Sequence, residues 1–257
     1  MDALTNFDSR DPSLTMTPMI SLASFMTPPS QCGYLADRTW QLQYEFVAQA
    51  TAAEYEDRLL AGWRRFGRAW FRPQCPACRA CQPLRVEAAH FRPDRSQRRN
   101  QRLHQNSTEL QIGRPSVTDE KLALYDRFHE FQTYNVGWPS KPPKDGQEYI
   151  DSFVDNPFPT EEWSYFREGR LVGVGYVDVL PRSLSAIYFF HEPYCRSLGL
   201  GTWNVLSCIA QANRRGLLHV YLGYFVEGCR SLEYKSHFRP ASALNWEAAQ
   251  WGEFTVR

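Results

Sequence analysis

Three cysteines spaced Cys75-x2-Cys78-x2-Cys81, with a lone Cys32 far upstream, constrain this chain more than any other feature. A cysteine at every third residue is a poor way to build a core. It is a good way to aim three thiolates at one soft cation from a tight loop, with a distant fourth ligand closing the shell. Neighbours this close do not form disulfides with each other without strain. The total of seven cysteines is odd, which suits a reducing compartment with metal-bound or free thiols better than a disulfide framework. Buried, redox-silent thiols are the plain alternative, and the triple spacing argues against it. Zinc and an iron–sulfur cluster both suit the set Cys32, Cys75, Cys78 and Cys81. Cys195, Cys208 and Cys229 have no ligand spacing, and Cys208 falls on an apolar helix face.

The loop does not stand alone. It runs into a basic stretch in which Arg95, Arg98, Arg99 and Arg102 follow Asp94, a candidate N-cap. If helical, these arginines occupy one face at i, i+3, i+4 and i+7. Arginines in a first turn oppose the helix dipole unless an anion sits there. The ordinary reading of such a run is a solvated charged face. Net charge is only +1, so any polyanion contact must come from a local patch of this kind.

The 257 residues, 43% hydrophobic and 14% aromatic, describe a folded globular chain with room for one large core or two modest ones. No apolar run approaches a membrane span, and the first 30 residues lack a basic n-region, so neither a membrane anchor nor a signal peptide is expected. The expected location is cytoplasmic. Residues 1–30, rich in Ser, Thr, Pro and Met, read as a flexible extension. Residues 31–117 read as a small cysteine-containing α+β unit and 118–257 as a second domain. In the first unit, Thr51 with Glu54 three residues on is a capping box for a helix through Tyr55, Leu59 and Leu60. Extended stretches are expected at 40–47 and 84–91, and Thr118 opens a helix through Phe131. In the second, strands are expected at 163–166, 171–179, 185–190 and 218–225, with a helix over 203–214 and a short one near 228–236.

Arg196-x-x-Gly199-x-Gly201, between a strand and a helix, forms an anion-cradling turn, because glycine lets backbone N–H groups face a ligand at a helix N-terminus. It is similar to the pyrophosphate turn of GNAT-like acyltransferases, and Tyr234-Lys-x-x-Phe238 resembles the segment that closes such folds. Further blocks are Cys32-Gly-Tyr-Leu35, Gly62-Trp-Arg-Arg-Phe-Gly67, Phe91-Arg-Pro-Asp-Arg-Ser-Gln-Arg-Arg99 and Tyr221-Leu-Gly-Tyr-Phe-Val-Glu-Gly-Cys229. In order and content, these blocks over residues 31–240 resemble the aminoacyl-tRNA–protein transferases, which include eukaryotic arginyl-transferases and bacterial leucyl-transferases.

The resemblance implies an α/β protein with a GNAT-like C-terminal domain beside the cysteine unit. It implies transfer of an amino acid, here leucine, from aminoacyl-tRNA to the α-amine of proteins that begin with Asp or Glu, marking them for degradation. Arginyl transfer to the same acceptors is the alternative within the family. A conventional acyl-CoA N-acyltransferase and a metal-stabilised nucleic-acid-binding module are the rivals outside it. The ester donor is already activated, so no organic cofactor is needed, and a monomer is expected. On this basis Arg95, Arg98, Arg99 and Lys235 are candidates for holding the acceptor's carboxylate. Arg196, Gly199 and Gly201 are candidates for the tRNA end, and Tyr188, Tyr224 and Glu227 for the amine or ester. Both tyrosines sit in apolar strands where a core role is the commoner one, Glu227 has Arg230 as a simple partner, and Lys235 reads equally as a solvated helix-end lysine. No Ser-His-Asp arrangement appears, so covalent catalysis is not indicated.

Overall fold

The computed structural model describes residues 18–255. In chain order the elements are β1 (Ile20–Met26), β2 (Ser30–Gln31), β3 (Thr39–Trp40), β4 (Leu42–Gln49), α1 (Ala52–Leu60), β5 (Arg64–Phe66), β6 (Ala69–Pro73), β7 (Gln82–Glu87), α2 (Arg95–His104), β8 (Glu109–Gly113), α3 (Asp119–Val136), α4 (Gly146–Tyr149), β9 (Thr160–Arg167), β10 (Arg170–Val179), β11 (Ser183–His191), α5 (Leu200–Arg214), β12 (His219–Phe225), β13 (Ala241–Asn245) and β14 (Gln250–Glu253). The protein is mixed α/β. Among the described residues no helix is long and apolar enough to cross a membrane.

An eight-stranded sheet, ordered β14-β13-β7-β12-β11-β10-β9-β8, is the frame. Its neighbours run antiparallel except β11 and β12, which are parallel and joined by α5. Helix α5 fills one face, its Val205, Cys208, Ile209 and Ala212 packing with Leu84, Val86, Trp163 and Val220. Helix α3 and the turns at 146–154 cover the other, where Leu124, Phe128, Tyr149 and Phe153 meet Val174, Tyr176 and Phe190. Strand β10 lies between these layers, and it is buried from Leu171 to Asp178 as a strand covered on both faces must be.

A second sheet, β1-β4-β6-β5, packs with α1 through Val47, Tyr55, Leu59, Trp63 and Trp70. The expected division near residue 117 does not separate the sheets, since β7 and β8 lie on its N-terminal side and are strands of the large one. The expected flexible extension needs correction where it can be seen. Its first 17 residues lie outside the described ones, but Ile20–Met26 pairs antiparallel with β4. All seven residues of β1 are exposed, so backbone pairing holds it and no buried alternation marks it in the sequence.

Both helix starts read from the first unit are present. Thr51 accepts from Glu54 N at 3.2 Å and Glu54 returns a carboxylate to Thr51 N, and Asp94 and Gln97 do the same for α2. Gly67, in the β5–β6 turn, has φ +51°. A Cβ there would land in the carbonyl of Asp151. Gly67→Ala is therefore expected to cost more than about 1 kcal/mol in urea unfolding, since a positive φ and a backbone clash add. A smaller loss would show that this turn relaxes freely.

Candidate active site at the parted strands

Strands β11 and β12 pair only over Ser183–Ser185 with His219–Tyr221. Beyond that point β11 continues to His191 and β12 to Phe225 without pairing to each other, and β12 also changes register against β7 between Tyr221 and Gly223. Parting strands free backbone carbonyls that must find donors. Two cations supply them. Arg64 donates to the Ala186 carbonyl and, at 3.2 Å, to Ser185 Oγ, and Lys235 Nζ donates to the Tyr224 carbonyl at 2.9 Å. Gly223, at φ +81°, lies between them: a Cβ there would be 3.6 Å from both the Arg64 guanidinium and Lys235 Nζ. Glycine serves here for its conformation and for the close approach of two cations to bare backbone.

Arg64 and Lys235 are both buried, and among the described residues neither has a carboxylate partner. Burial, helped by the Arg64 charge and opposed by Cys229, pushes the Lys235 ammonium down to about 7 from its usual 10.5. Two adjacent buried cations form a ready anion site. The sequence pattern named Lys235 for it and missed Arg64, although Gly62-Trp-Arg-Arg-Phe-Gly67 stood among the family blocks. The next residue behaves differently. Strand geometry sends Arg65 to the opposite face, where it pairs with Asp178.

The loop bearing Cys32 and Tyr34 borders this split. Tyr34 packs with Tyr224, Cys229 and Phe71, and its phenol is pushed up by burial and by Cys81, Cys229 and Cys32, with Arg64 opposing. Tyr224 donates its hydroxyl to the Gly62 carbonyl at 2.9 Å, so that hydroxyl is occupied in holding the β5 approach. Tyr188, on β11, is half-buried, with its hydroxyl 2.9 Å from His129 Nε2. His129 is pushed down to about 4 by burial and by Lys141 and Lys144, which leaves a neutral imidazole at pH 7. It lines a cavity of about 660 Å³ between α3 and the 139–144 loop, with Tyr125, Asp126, Lys144 and Glu148. Nothing in the sequence pattern pointed to this cavity. Glu227 is exposed at the end of β12.

The Gly199 turn stands at the head of α5. Gly199 has φ +68° and offers no side-chain cap, while its carbonyl and that of Leu198 accept from Asn100 of α2. Gly201 lies within the first turn of α5, and Arg196 is exposed with its guanidinium 5.6 Å from the Phe131 ring. Arg95, Arg98 and Arg99 are exposed on α2. Arg64 and Lys235 are buried, so these exposed arginines do not join them in the buried site.

The cysteines gather. Cys81 is pushed up to about 12 by burial and then by Cys32, Cys75, Cys78 and Cys229. Its loop is held by the Trp246 indole, which donates to the Cys81 carbonyl at 2.8 Å. As a donor set, four thiols suit zinc or an iron–sulfur cluster. In the arrangement described, no three His, Cys, Asp or Glu side chains among the described residues are disposed to hold one ion.

The family pattern described as "Arginine-tRNA-protein transferase, N terminus" matches residues 30–99, and "Arginine-tRNA-protein transferase, C terminus" matches 120–245. Among curated proteins, an aspartate/glutamate leucyltransferase of Aeromonas hydrophila subsp. hydrophila is 37% identical over 230 residues, covering 89% of this chain and 94% of that protein. Those of Pseudomonas fluorescens and Campylobacter jejuni are 34% and 32% identical, over 96% and 92% of their lengths. Of solved structures, L-PGS from Bacillus licheniformis aligns at a TM-score of 0.46 and 11% identity, over 63% of this chain and 57% of that one. With both family patterns and relatives above 30% identity over nearly their whole length, the chain belongs to the aminoacyl-tRNA–protein transferase family that includes the aspartate/glutamate leucyltransferases.

Proposed function

We propose that the chain transfers leucine from leucyl-tRNA to the N-terminal α-amine of proteins that begin with Asp or Glu. The observation that carries this is the buried, carboxylate-free pair Arg64 and Lys235 at the parted strands. An acceptor's side-chain carboxylate accepts hydrogen bonds from both cations, offsetting one of the two charges, and doing so fixes its α-amine at the mouth of the split. The amine nitrogen attacks the ester carbonyl of the aminoacyl-tRNA. A C–N bond forms, the C–O bond to the tRNA 3′ end breaks, and the amine's proton leaves with that hydroxyl. An α-amine titrates near ~8, so positioning contributes more than deprotonation. Neutral His129 and the protonated Tyr188 hydroxyl offer a polar contact on the cavity side of β11.

The Gly199–Gly201 turn, with Arg196, receives the terminal phosphates of the donor, because the leading N–H groups of α5 have no side-chain cap. One parallel pair parting in an otherwise antiparallel sheet, followed by a glycine turn and a helix, supports the GNAT-like reading of the C-terminal half. Use of charged tRNA and protein substrates fits a cytoplasmic monomer. The family's arginyl donors are the second reading. A reporter starting with Asp, incubated separately with leucyl-tRNA and arginyl-tRNA and weighed by mass spectrometry, decides between them. A leucine increment is expected, and no increment from either donor overturns the proposal.

We further propose that the four thiols would hold a structural zinc ion or iron–sulfur cluster once the loops close from the arrangement described, which would staple the Cys32 loop, and with it Tyr34, against the 75–81 loop. Such a centre would neutralise the thiolates and stiffen both loops. Elemental analysis of protein purified without oxygen should find zinc or iron, and Cys78→Ala should lower both the metal content and the unfolding temperature. Equal, near-zero metal in both proteins would remove the assignment.

A further inference from the structure

Helix α2 carries four cations at the spacing of a single helix face. Some arginines elsewhere on the surface meet carboxylates, as Arg38 does with Asp37, Arg68 with Asp155, Arg127 with Glu192 and Arg182 with Glu56, and others, such as Arg114, Arg170 and Arg214, stand singly without one among the described residues. Arg95, Arg98, Arg99 and Arg102 are all exposed, and among the described residues none has an acidic partner. Arg98 reaches only back to the Pro93 carbonyl, at 2.5 Å. The helix holds no acidic residue in its first turn beyond the Asp94 cap. At 1.5 Å per residue the four guanidiniums form a row about 10 Å long. Such a row disfavours its own helix by self-repulsion and by opposing the dipole.

The opposite side of α2 is fastened by neutral hydrogen bonds at two points. Gln97 Nε2 donates to the His237 carbonyl at 3.0 Å, two residues beyond Lys235. Asn100 donates to the Leu198 and Gly199 carbonyls at 2.9 and 3.2 Å, and His104 Nε2 lies 2.9 Å from Leu198 O. The buried side thus ties the helix both to the segment carrying Lys235 and to the glycine turn at the head of α5. The arginine row is thereby held as a rigid rim spanning both halves of the candidate site. A fixed row of guanidiniums without carboxylate partners is complementary to a run of phosphates.

We infer that this face of α2 is a docking surface for the sugar–phosphate backbone of the tRNA acceptor arm, which reassigns Arg95, Arg98 and Arg99 from the protein acceptor to the nucleic acid. The inference rests on the proposed use of an aminoacyl-tRNA donor. It deepens that reading by naming the residues that hold the donor outside the chemistry.

The test is binding of unacylated tRNA, measured across a salt series, to the wild-type chain and to the triple variant Arg98→Gln/Arg99→Gln/Arg102→Gln. Glutamine keeps the helix propensity, and circular dichroism checks the fold. Loss of three phosphate contacts should weaken binding about tenfold or more near 50 mM salt and reduce the slope of log K against log salt by about 2 to 3. In transfer assays the KM for leucyl-tRNA should rise while the KM for an Asp-starting peptide stays the same. Unchanged tRNA affinity and slope would overturn the inference, as would a rise confined to the peptide KM, which would return these arginines to the acceptor. Because the binding arm uses uncharged tRNA, its result stands apart from leucyl transfer. An arginine-dependent salt slope with no transfer product would fault the proposed reaction and leave the surface intact.

Discussion

Replacing Lys235 by methionine should lower kcat/KM for acceptors starting with Asp about 30- to 1000-fold, the counterpart of roughly 2–4 kcal/mol for truncating one side of a buried charged contact. The loss should be far smaller for an acceptor starting with Ala, whose side chain brings no charge. Methionine keeps most of the lysine stem's volume, so the small cluster of Tyr224, Val226 and Cys229 stays packed. Steady-state kinetics on the two acceptors reads the ratio, and equal losses on both would remove Lys235 from acceptor recognition. The pH dependence is a second signature. With its ammonium pushed down to about 7, Lys235 is charged below that pH and binds a carboxylate without taking up a proton. Above pH 7 the same binding must first protonate the amine, so acceptor affinity should fall towards tenfold per pH unit. Lys235→Arg, which stays charged, should flatten that alkaline decline. Stability moves the other way. Between about pH 7 and 10.5 the unfolded lysine holds a proton that the folded one does not, so this residue's contribution to stability rises with pH through that window. Lys235→Met should remove the rise.

The second large effect is expected one residue along from Arg64. Arg65 and Asp178 are an ion pair whose side chains are 0% exposed. Every donor of the Arg65 guanidinium is used. Nε donates to Asp178 Oδ2 at 3.1 Å, one terminal nitrogen to Gly67 O and Asn156 Oδ1 at 2.8 and 2.6 Å, and the other to Thr160 Oγ1 at 2.7 Å and to Asp178 Oδ1. The Phe158 ring lies 4.7 Å from the guanidinium carbon. Removing either partner strands a buried charge, which typically costs about 3–5 kcal/mol. Arg65→Met and Asp178→Asn should each lower the unfolding temperature by about 10 °C for a chain of this size. The double variant should recover part of the loss, since it strands neither charge. Single variants that unfold within a degree or two of wild type would show that water reaches the pair. The pair also binds β5 to β10, and so it sets the position from which Arg64 enters the parted strands.

These two adjacent arginines mark the limit of what the chain's pattern revealed. The local signals were legible because their physics is local. Thr51 with Glu54, Asp94 and Thr118 each satisfy N–H groups within three residues, and all three helix starts stand where the spacing puts them. The strand–turn–helix around Gly199 was also readable, since glycine suits the left-handed position, φ +68°, that ends the 3-10 turn Pro193–Leu198 ahead of α5. Helix α5 begins at Leu200 rather than Trp203, and the segment at 233–237 is a 3-10 turn instead of a longer helix. Boundaries of this kind depend on packing. Strand β1 escaped notice because an edge strand with every residue exposed has no buried face to alternate, and the β5–β6 hairpin because two of its three β5 residues are buried arginines.

By itself the sequence determined the family, the helix starts, the glycine turn and the thiols available to a soft cation. Each depends on residue type and short spacing. Only the tertiary structure decided which cations meet. Lys235 and Arg64 are separated by most of the chain, yet both reach the point where β11 and β12 part. Arg95, Arg98 and Arg99, grouped with Lys235 through the family resemblance, lie on an outer helix face. The physical reason is that parting strands leave carbonyls needing donors at one place in space, and a one-residue alternation along β5 then sends Arg64 to that place and Arg65 to Asp178.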